Sequence, residues 1–439
     1  MAEQSARALE DRLAELFREL GLTRAHMAGR QITDWNGLAV KDGDVFASLT
    51  LICPSGFDTD LGRDLASRLL VFGGDRGPAS ERLAATLGGI DGLTFHCLAG
   101  CGGQTWDDSA AERSAELGQI MLDFLAAREV ATADLPEGNG EVAGITYRIR
   151  GSGPPLVLFP LMLAPSQWEP LIPLLGQHYC TVTLGGPLLG GAGYLENRAE
   201  APGYLAVVGR IIDEMAIRPG QNLLDVGSGS GAIDRWLARR TAGANPITGV
   251  DVNAYLIGEA VDLARRDRLD QVIEFREASA LALPFAENSF DHVFSSTVME
   301  ELDATRMLAE LVRVCRPGGR IGVITRSIDM PRLVNLPLPA RLKAKLEAPG
   351  IGAIEQGGCA DASLYARFIE AGLHHLRKIP QIAAFDDPDG VYEQSILGTL
   401  FASLEAEENS QARAALASAR AAGTFLFTSP FHGAVGTKT

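Results

Sequence analysis

Two α/β domains are what this sequence predicts, and three observations carry the prediction. The chain has 439 residues, more than a single domain of roughly 100–200 residues accommodates. From Gln221 it reads QNLLDVGSGSGAIDRWLARR, a buried apolar strand, a glycine-rich turn and then a helix. A second apolar strand, NPITGVDVN, follows and ends on the acidic Asp251. Strand, turn, helix and strand in that order make the crossover unit of a parallel sheet.

Composition narrows the partners. With 46% hydrophobic and 21% charged residues the chain can bury sizeable cores. The formal net charge is −16 and no dense Lys/Arg run interrupts it, so nucleic acid is not expected as a partner. Six cysteines, Cys53, Cys97, Cys101, Cys180, Cys315 and Cys359, are scattered along the chain. One Cys-x3-Cys pair lacks the matching Cys/His pair that zinc needs, so no metal is expected and packed thiols are the plainer reading. The N-terminal MAEQSARALEDRLAELFREL reads as an amphipathic charged helix without an apolar signal core. No stretch approaches the roughly 18 apolar residues of a membrane span, so a cytoplasmic protein with no membrane partner is expected.

The central motif has a physical logic. Gly227, Gly229 and Gly231 alternate with Ser228 and Ser230 directly after the strand that carries Asp225. A turn free of Cβ atoms lets the backbone approach a ligand at the carboxyl end of a parallel strand. Asp251, at the end of the next strand, is placed to accept both hydroxyls of a ribose. The pattern fits an adenosine cofactor.

Later segments say which one. IEFREASALALPFAENSFDHVFSSTVMEEL offers a strand, a Leu-Pro-Phe turn, and Ser289-Phe290-Asp291 opening another strand. Arg316-Pro317-Gly318-Gly319 precedes a further strand. From about Tyr204 to the C-terminus the chain resembles the class I S-adenosylmethionine-dependent methyltransferases, in particular the ubiquinone/menaquinone C-methyltransferase branch. The resemblance implies a Rossmann-like sheet over residues 201–439 and S-adenosyl-L-methionine as cofactor. It implies a cofactor set of Asp225, Gly227, Ser228, Gly229, Gly231, Asp251, Val252, Ser279, Ala280 and Thr297. Ser279 departs from the family, which usually has an Asp there for the adenine amine. In the family the last strand runs antiparallel, and TFLFTSPFHGAVGTKT, read as an apolar strand pair after a helical stretch from Pro388 to about Ala422, is its candidate.

Residues 1–200 resemble an α/β-hydrolase with its halves in swapped order. GITYRIRGSGPPLVLFPLMLAPSQWEPLIPLLGQHYCTVTLGGPLLG resembles the first strands of that fold. The earlier ASLTLICP, RLLVFGGDRGP and LAGCGGQTWDD resemble its second half. A circularly permuted domain is the reading, two degenerate half-copies the alternative, and acidic Thr132 to Glu141 the linker. The reactive positions are empty of chemistry: Gln31 stands at the nucleophile elbow, Gly103 at the histidine, and Pro160-Leu161 at the oxyanion turn. Asp75 or Arg76 occupies the acid region. His26 is expected to be a hydrogen-bonded core histidine.

Methyl transfer from a sulfonium requires donor and acceptor held collinear in a dry pocket. For a base on the acceptor side the sequence offers Glu300 and Glu301, adjacent carboxylates whose repulsion would raise one pKa; a solvated helix start is the plain alternative. His292, His374, His375 and His432 are further candidates. The expected partner is a small apolar or aromatic acceptor molecule, with a homodimer left open. A cofactor-binding scaffold, a non-methylating cofactor-assisted enzyme and a working esterase stand as alternatives. Trp35, Met162 and Trp168 of the hydrolase-like domain are expected to help form the acceptor pocket.

Overall fold

The computed structural model describes residues 9–30, 38, 43–54, 57, 59–101, 109–186, 188–348, 357–402 and 404–439. The chain divides into two compact units, Met1–Tyr194 and Leu195–Thr439.

The first unit is built on one eight-stranded sheet. Its strands are β1 (Ala25–Gly29), β2 (Phe46–Ile52), β3 (Leu69–Gly74), β4 (Thr94–Leu98), β5 (Gly138–Val142), β6 (Ile145–Arg150), β7 (Pro155–Leu158) and β8 (Cys180–Gly185). They lie in the order β4-β3-β2-β1-β7-β8-β6-β5. All neighbours are parallel except β6, which is antiparallel to both β8 and β5. The early and late strands therefore close one sheet, through β1 and β7, where His26, Met27 and Ala28 pair with Leu156, Val157 and Leu158. Every residue of β1 and β2 is buried, as expected of central strands covered on both faces. Met27 packs into one core with Leu49 and Val157. Ala28 faces the other with Leu156 and Trp168. The N-terminal helix begins within the described residues at Leu9 and runs to Glu19, burying Leu13, Leu16 and Phe17 at helical spacing.

The proposed linker is corrected in its second half. Gly138 to Glu141 are part of β5, antiparallel to β6, because Gly140 leaves room for the Tyr147 ring where a Cβ would sit 2.3 Å from its hydroxyl.

The second unit holds seven strands: β9 (Leu223–Val226), β10 (Ile247–Asp251), β11 (Ile273–Glu277), β12 (Phe290–Ser296), β13 (Cys315–Arg326), β14 (His374–Phe385) and β15 (Phe427–Thr437). Their order is β11-β10-β9-β12-β13-β15-β14, with β15 antiparallel to both β13 and β14. The apolar tail is thus one long strand wedged between two others, and the expected pair is corrected: Phe427 to Val435 pair in continuous register with β14 and Phe431 to Thr437 with β13, so no turn divides it. The Arg316-Pro317-Gly318-Gly319 stretch is absorbed as an irregularity between the pairs Phe290↔Cys315 and His292↔Arg320. The helical stretch from Pro388 consists of two helices, Val391–Ala402 and Ala406–Ala422. One face of the sheet packs on helix Pro202–Met215 through Val207, Val208, Ile211 and Met215. The opposite face packs on helices Ala304–Val314 and Ser363–Glu370.

Strand order reverses at β9, whose neighbours are β10 on one side and β12 on the other. A crevice outside the carboxyl ends of β9, β10 and β12 is where a sheet of this kind takes a ligand.

Candidate active site

The glycine turn opens that crevice. Gly227, Gly229 and Gly231 have φ of +86°, +55° and +71°, a region that side chains avoid. Space forbids a side chain as well: a Cβ at Gly227 would stand 2.1 Å from Val298 Cγ2, and one at Gly231 2.3 Å from Phe275 Cζ. The amides of Gly227 and Ser228 both donate to Val250 O, at 2.7 and 2.9 Å, which folds the turn over the end of β10. Gly229 N donates to Asp251 Oδ2 at 2.9 Å, and Asn253 N donates to Oδ1 at 2.9 Å. Burial pushes the Asp251 carboxyl up, against the pull of these two N–H groups.

The other end of the turn is held by charge. Ser230 Oγ donates to Glu196 Oε1 at 2.6 Å, and Arg235 binds both Ser230 O and Glu196. Arg235 and Glu196 are almost wholly buried, and Asp267 completes the guanidinium's partners. Sequence reading did not find this network, since its members lie up to dozens of residues apart and share no local pattern.

At β12 the chain makes a strained exit. Thr297 has φ +60°, rare for a β-branched residue and worth on the order of 1–3 kcal/mol of strain. Its amide donates to Ile324 O at 2.8 Å, and its hydroxyl donates to Ser296 O at 2.7 Å while accepting from Arg198 Nη1 at 3.2 Å. Ser279 is exposed beyond β11, where its Oγ accepts from Leu281 N at 3.2 Å. Ala278 N donates to Asp251 O, tying that loop to the acidic residue.

Residues 224–323 match the family described as "Methyltransferase domain". Methyltransferase GfsG of Streptomyces halstedii is 32% identical over 115 residues, 26% of this chain and 41% of that protein. An uncharacterized protein of Mycobacterium tuberculosis is 42% identical over 123 residues, 28% of this chain and 43% of its own length. The ubiquinone/menaquinone biosynthesis C-methyltransferase UbiE of Legionella pneumophila is 31% identical over 109 residues, 25% of this chain and 44% of that protein. The region is a class I S-adenosylmethionine-dependent methyltransferase domain. The chain spans less than half the length of each of these relatives.

The methyltransferase domain's cofactor is S-adenosyl-L-methionine, and the residues present fit it. Ser228 Oγ, in the glycine turn, is buried and makes no hydrogen bond. Each Asp251 oxygen accepts one backbone N–H and keeps a lone pair for a ribose hydroxyl. Val252, next to it, is 70% exposed, an apolar side chain held in the open beside the crevice.

Two members of the predicted set point elsewhere. Asp225 shares the face of β9 with Leu223, and its carboxyl meets that of Asp234 from the helix Ala232–Arg240. Burial and the neighbouring carboxylate raise Asp225 well above the usual range, so the pair shares a proton beneath the turn. Ala280 packs its side chain into the core with Leu283 and Phe290.

Glu300 and Glu301 are not the repelling pair expected. Arg326 lies between them: its amide and Nε donate to Glu300 Oε1 at 2.5 and 3.3 Å, and Nη2 donates to Glu301 at 3.0 Å. Glu300 is 1% exposed at its side chain, and burial raises its pKa against the pull of Arg326. Its Oε2 makes no hydrogen bond. Glu301 is 51% exposed. His292 is a core residue, bonded to Gln221 and pushed down to about 4 by burial. His374 and His375 are exposed at the start of β14.

In the first unit, His26 is buried, bonded to Ser48 Oγ at 2.8 Å and lowered to about 4 by burial, then by Arg128 and Arg24. Asp75 accepts from Gly100 N at 2.7 Å, a loop clamp. Trp168 is fully buried, donating to Phe159 O at 2.7 Å, and Met162 is partly buried. Gln31, Trp35 and Gly103 lie outside the described residues. Cys53, Cys180, Cys315 and Cys359 are buried, whereas Cys97 is exposed. Among the described residues no group of three or more His, Cys, Asp and Glu could hold a metal. Among them, too, no helix is long and apolar enough to cross a membrane.

Proposed function

We propose that this protein transfers a methyl group from S-adenosyl-L-methionine to a small apolar or aromatic acceptor. The observation that carries the reading is the Asp251 carboxylate bound to the Gly229 amide, which joins the two cofactor motifs into one preformed cradle. The bound cofactor supplies an electrophilic methyl group on sulfur. The chain's own residues hold it: the glycine turn admits the backbone close to it, Asp251 takes the ribose hydroxyls, and Val252 and Ser279 flank the adenine. Thr297 and Glu300 lie at the end of β12, on the side where an acceptor would enter. Buried Glu300, whose Oε2 makes no hydrogen bond, fastens the Arg326 amide on that side.

The first unit is read as a catalytically silent, circularly permuted α/β-hydrolase-like domain. Supporting this is the union of its early and late strands in one mostly parallel sheet, rather than in two half-sheets.

Titration calorimetry of the full chain with S-adenosylhomocysteine tests the proposal. Saturable binding is expected, and Asp251→Ala should abolish most of it. No heat of binding at millimolar ligand would overturn the methyltransferase reading.

A further inference from the structure

Three side chains outside the cofactor cradle form a chain of hydrogen bonds at the carboxyl edge of the second sheet. His432 lies on β15, opposite Thr325 near the end of β13. Its Nε2 meets Asp329 Oδ1 at 2.6 Å, and its Nδ1 meets the Tyr365 hydroxyl at 2.9 Å. The three come from separate elements: the loop after β13, β15, and helix Ser363–Glu370. The imidazole is 5% exposed at its side chain, whereas Asp329 is 39% exposed.

The direction of each hydrogen bond follows from chemistry. Asp329 also accepts from Ser327 Oγ at 2.7 Å and from Ala362 N at 3.0 Å. Burial pushes its carboxyl up, but the bonds from His432, Ser327 and Ala362 outweigh that and hold it at about 2. An ionised carboxylate only accepts, so Nε2 carries a proton, and in the neutral imidazole Nδ1 offers its lone pair. Tyr365, raised by burial and by Asp329, keeps its hydroxyl proton and donates it to Nδ1. A carboxylate fixing the tautomer of an imidazole that receives a hydroxyl proton is the logic of a general-base relay.

Its place ties it to the acceptor side. Asp329 follows Arg326 by three residues, and the Arg326 amide is the group that Glu300 holds. Ile328 N donates to Ala360 O and Cys359 N to Met299 O, so the loops after β12 and β13 are laced together there.

We infer that Tyr365, His432 and Asp329 form a proton relay that deprotonates the acceptor, and that the acceptor is therefore an acidic hydroxyl compound, a phenol or an enol. The inference rests on the methyltransferase reading. In the step, the acceptor O–H proton passes to Tyr365 Oη as the tyrosine's own proton passes to His432 Nδ1. The freed electron pair of the acceptor forms its bond to the methyl carbon, at oxygen or at the conjugated carbon. The methyl–sulfur bond breaks with its pair left on sulfur. A carbon-methylated product regains its hydroxyl by tautomerisation, its ring or chain proton leaving to solvent and a proton from solvent returning to oxygen. The imidazolium is stabilised by Asp329 and returns its proton to solvent. Tyr365 is the catalytic residue; His432 and Asp329 position and polarise it.

The test needs no natural acceptor. The full-length protein, saturated with S-adenosylhomocysteine, is titrated with 4-nitrophenol at a pH below that phenol's own pKa, and phenolate absorbance is read. The relay predicts a bound phenolate fraction at least about tenfold above that in buffer, one unit of pKa. Tyr365→Phe should remove the excess while calorimetric affinity for S-adenosylhomocysteine stays unchanged, and His432→Gln should do the same should the first variant fail to fold. With a phenol that turns over, Tyr365→Phe should lower kcat by about 10²-fold or more at constant KM. Absence of phenolate excess in the unaltered protein overturns the relay, as does an excess that survives in the folded variants, which would leave the cluster a packing device. If S-adenosylhomocysteine itself does not bind, the methyltransferase reading falls instead.

Discussion

Asp75 and Asp251 make an instructive pair. Asp75 directly follows the parallel strand β3 and Asp251 ends the parallel strand β10, and each accepts a backbone N–H from a neighbouring loop, Gly100 at 2.7 Å or Gly229 at 2.9 Å. Around Asp251 the loop it holds is a turn with three glycines at positive φ, and a buried serine hydroxyl lies unused within it. Around Asp75 the clamp is closed on itself, since Asp75 N and Arg76 N both donate to Cys101 O. The same carboxylate at the same end of a strand builds a cradle in one sheet and a loop fastening in the other. What it serves is set by the backbone conformation it holds, not by its position in the fold.

The largest expected effect comes from filling the two glycine positions that mirror each other. Gly227→Ala would place a methyl 2.1 Å from Val298, and Gly74→Ala would place one 2.1 Å from Cys101 O. Both should cost stability, on the order of 1–3 kcal/mol or more. Only Gly227→Ala should also abolish S-adenosylhomocysteine binding by calorimetry; if Gly74→Ala abolishes it equally, the contrast between the two loops is broken.

A middle-sized effect is expected from the carboxyl pair beneath the turn. Burial and Asp234 raise the folded pKa of Asp225 well above its ordinary value, so between the two the folded state holds a proton that the unfolded state has lost. The unfolded state then binds fewer protons, so stability falls as pH rises from the ordinary value of 3.8 toward the raised one. The slope contributed by one proton is about 1.4 kcal/mol per pH unit. Thermal unfolding between pH 5 and 8 should flatten in Asp225→Asn, whose amide needs no shared proton; an unchanged slope would count against the shared proton.

The smallest expected effect is none. His26 is neutral and fastened to Ser48, so no base serves the first sheet from that position. Hydrolysis of 4-nitrophenyl acetate should stay at the buffer rate, and turnover abolished by a serine-directed phosphonate would refute the silent domain.

The second sheet was legible because its chemistry is local. Gly227 to Gly231 announce a turn that no other residues fit, and Asp251 closes an apolar run at a readable distance. The long strand Phe427–Thr437 was legible in hydrophobicity but not in number, since Pro430 and Gly433 imitate a turn while the ladders on both sides carry the chain through. Glu300 and Glu301 misled because adjacency in sequence suggests repulsion, and the arginine that separates them arrives from β13. Asp225 misled differently: residues alternate across a strand, so standing two places before the turn turns its carboxyl toward the core. The relay joins residues 329, 365 and 432, which only the antiparallel β15 brings together.

The pairing of β1 with β7 also sets a timetable for synthesis. Strands β1 to β4 leave the ribosome with β1 as an open edge, every residue of which is destined for burial. Its partner β7 ends at Leu158, so at about 5–20 residues per second the edge stays uncovered for on the order of 10 s. During that interval the strand presents free amides and carbonyls to any other nascent copy. Aggregation in vivo should accordingly track translation speed between residues 30 and 158 more closely than it tracks the stability of the finished domain.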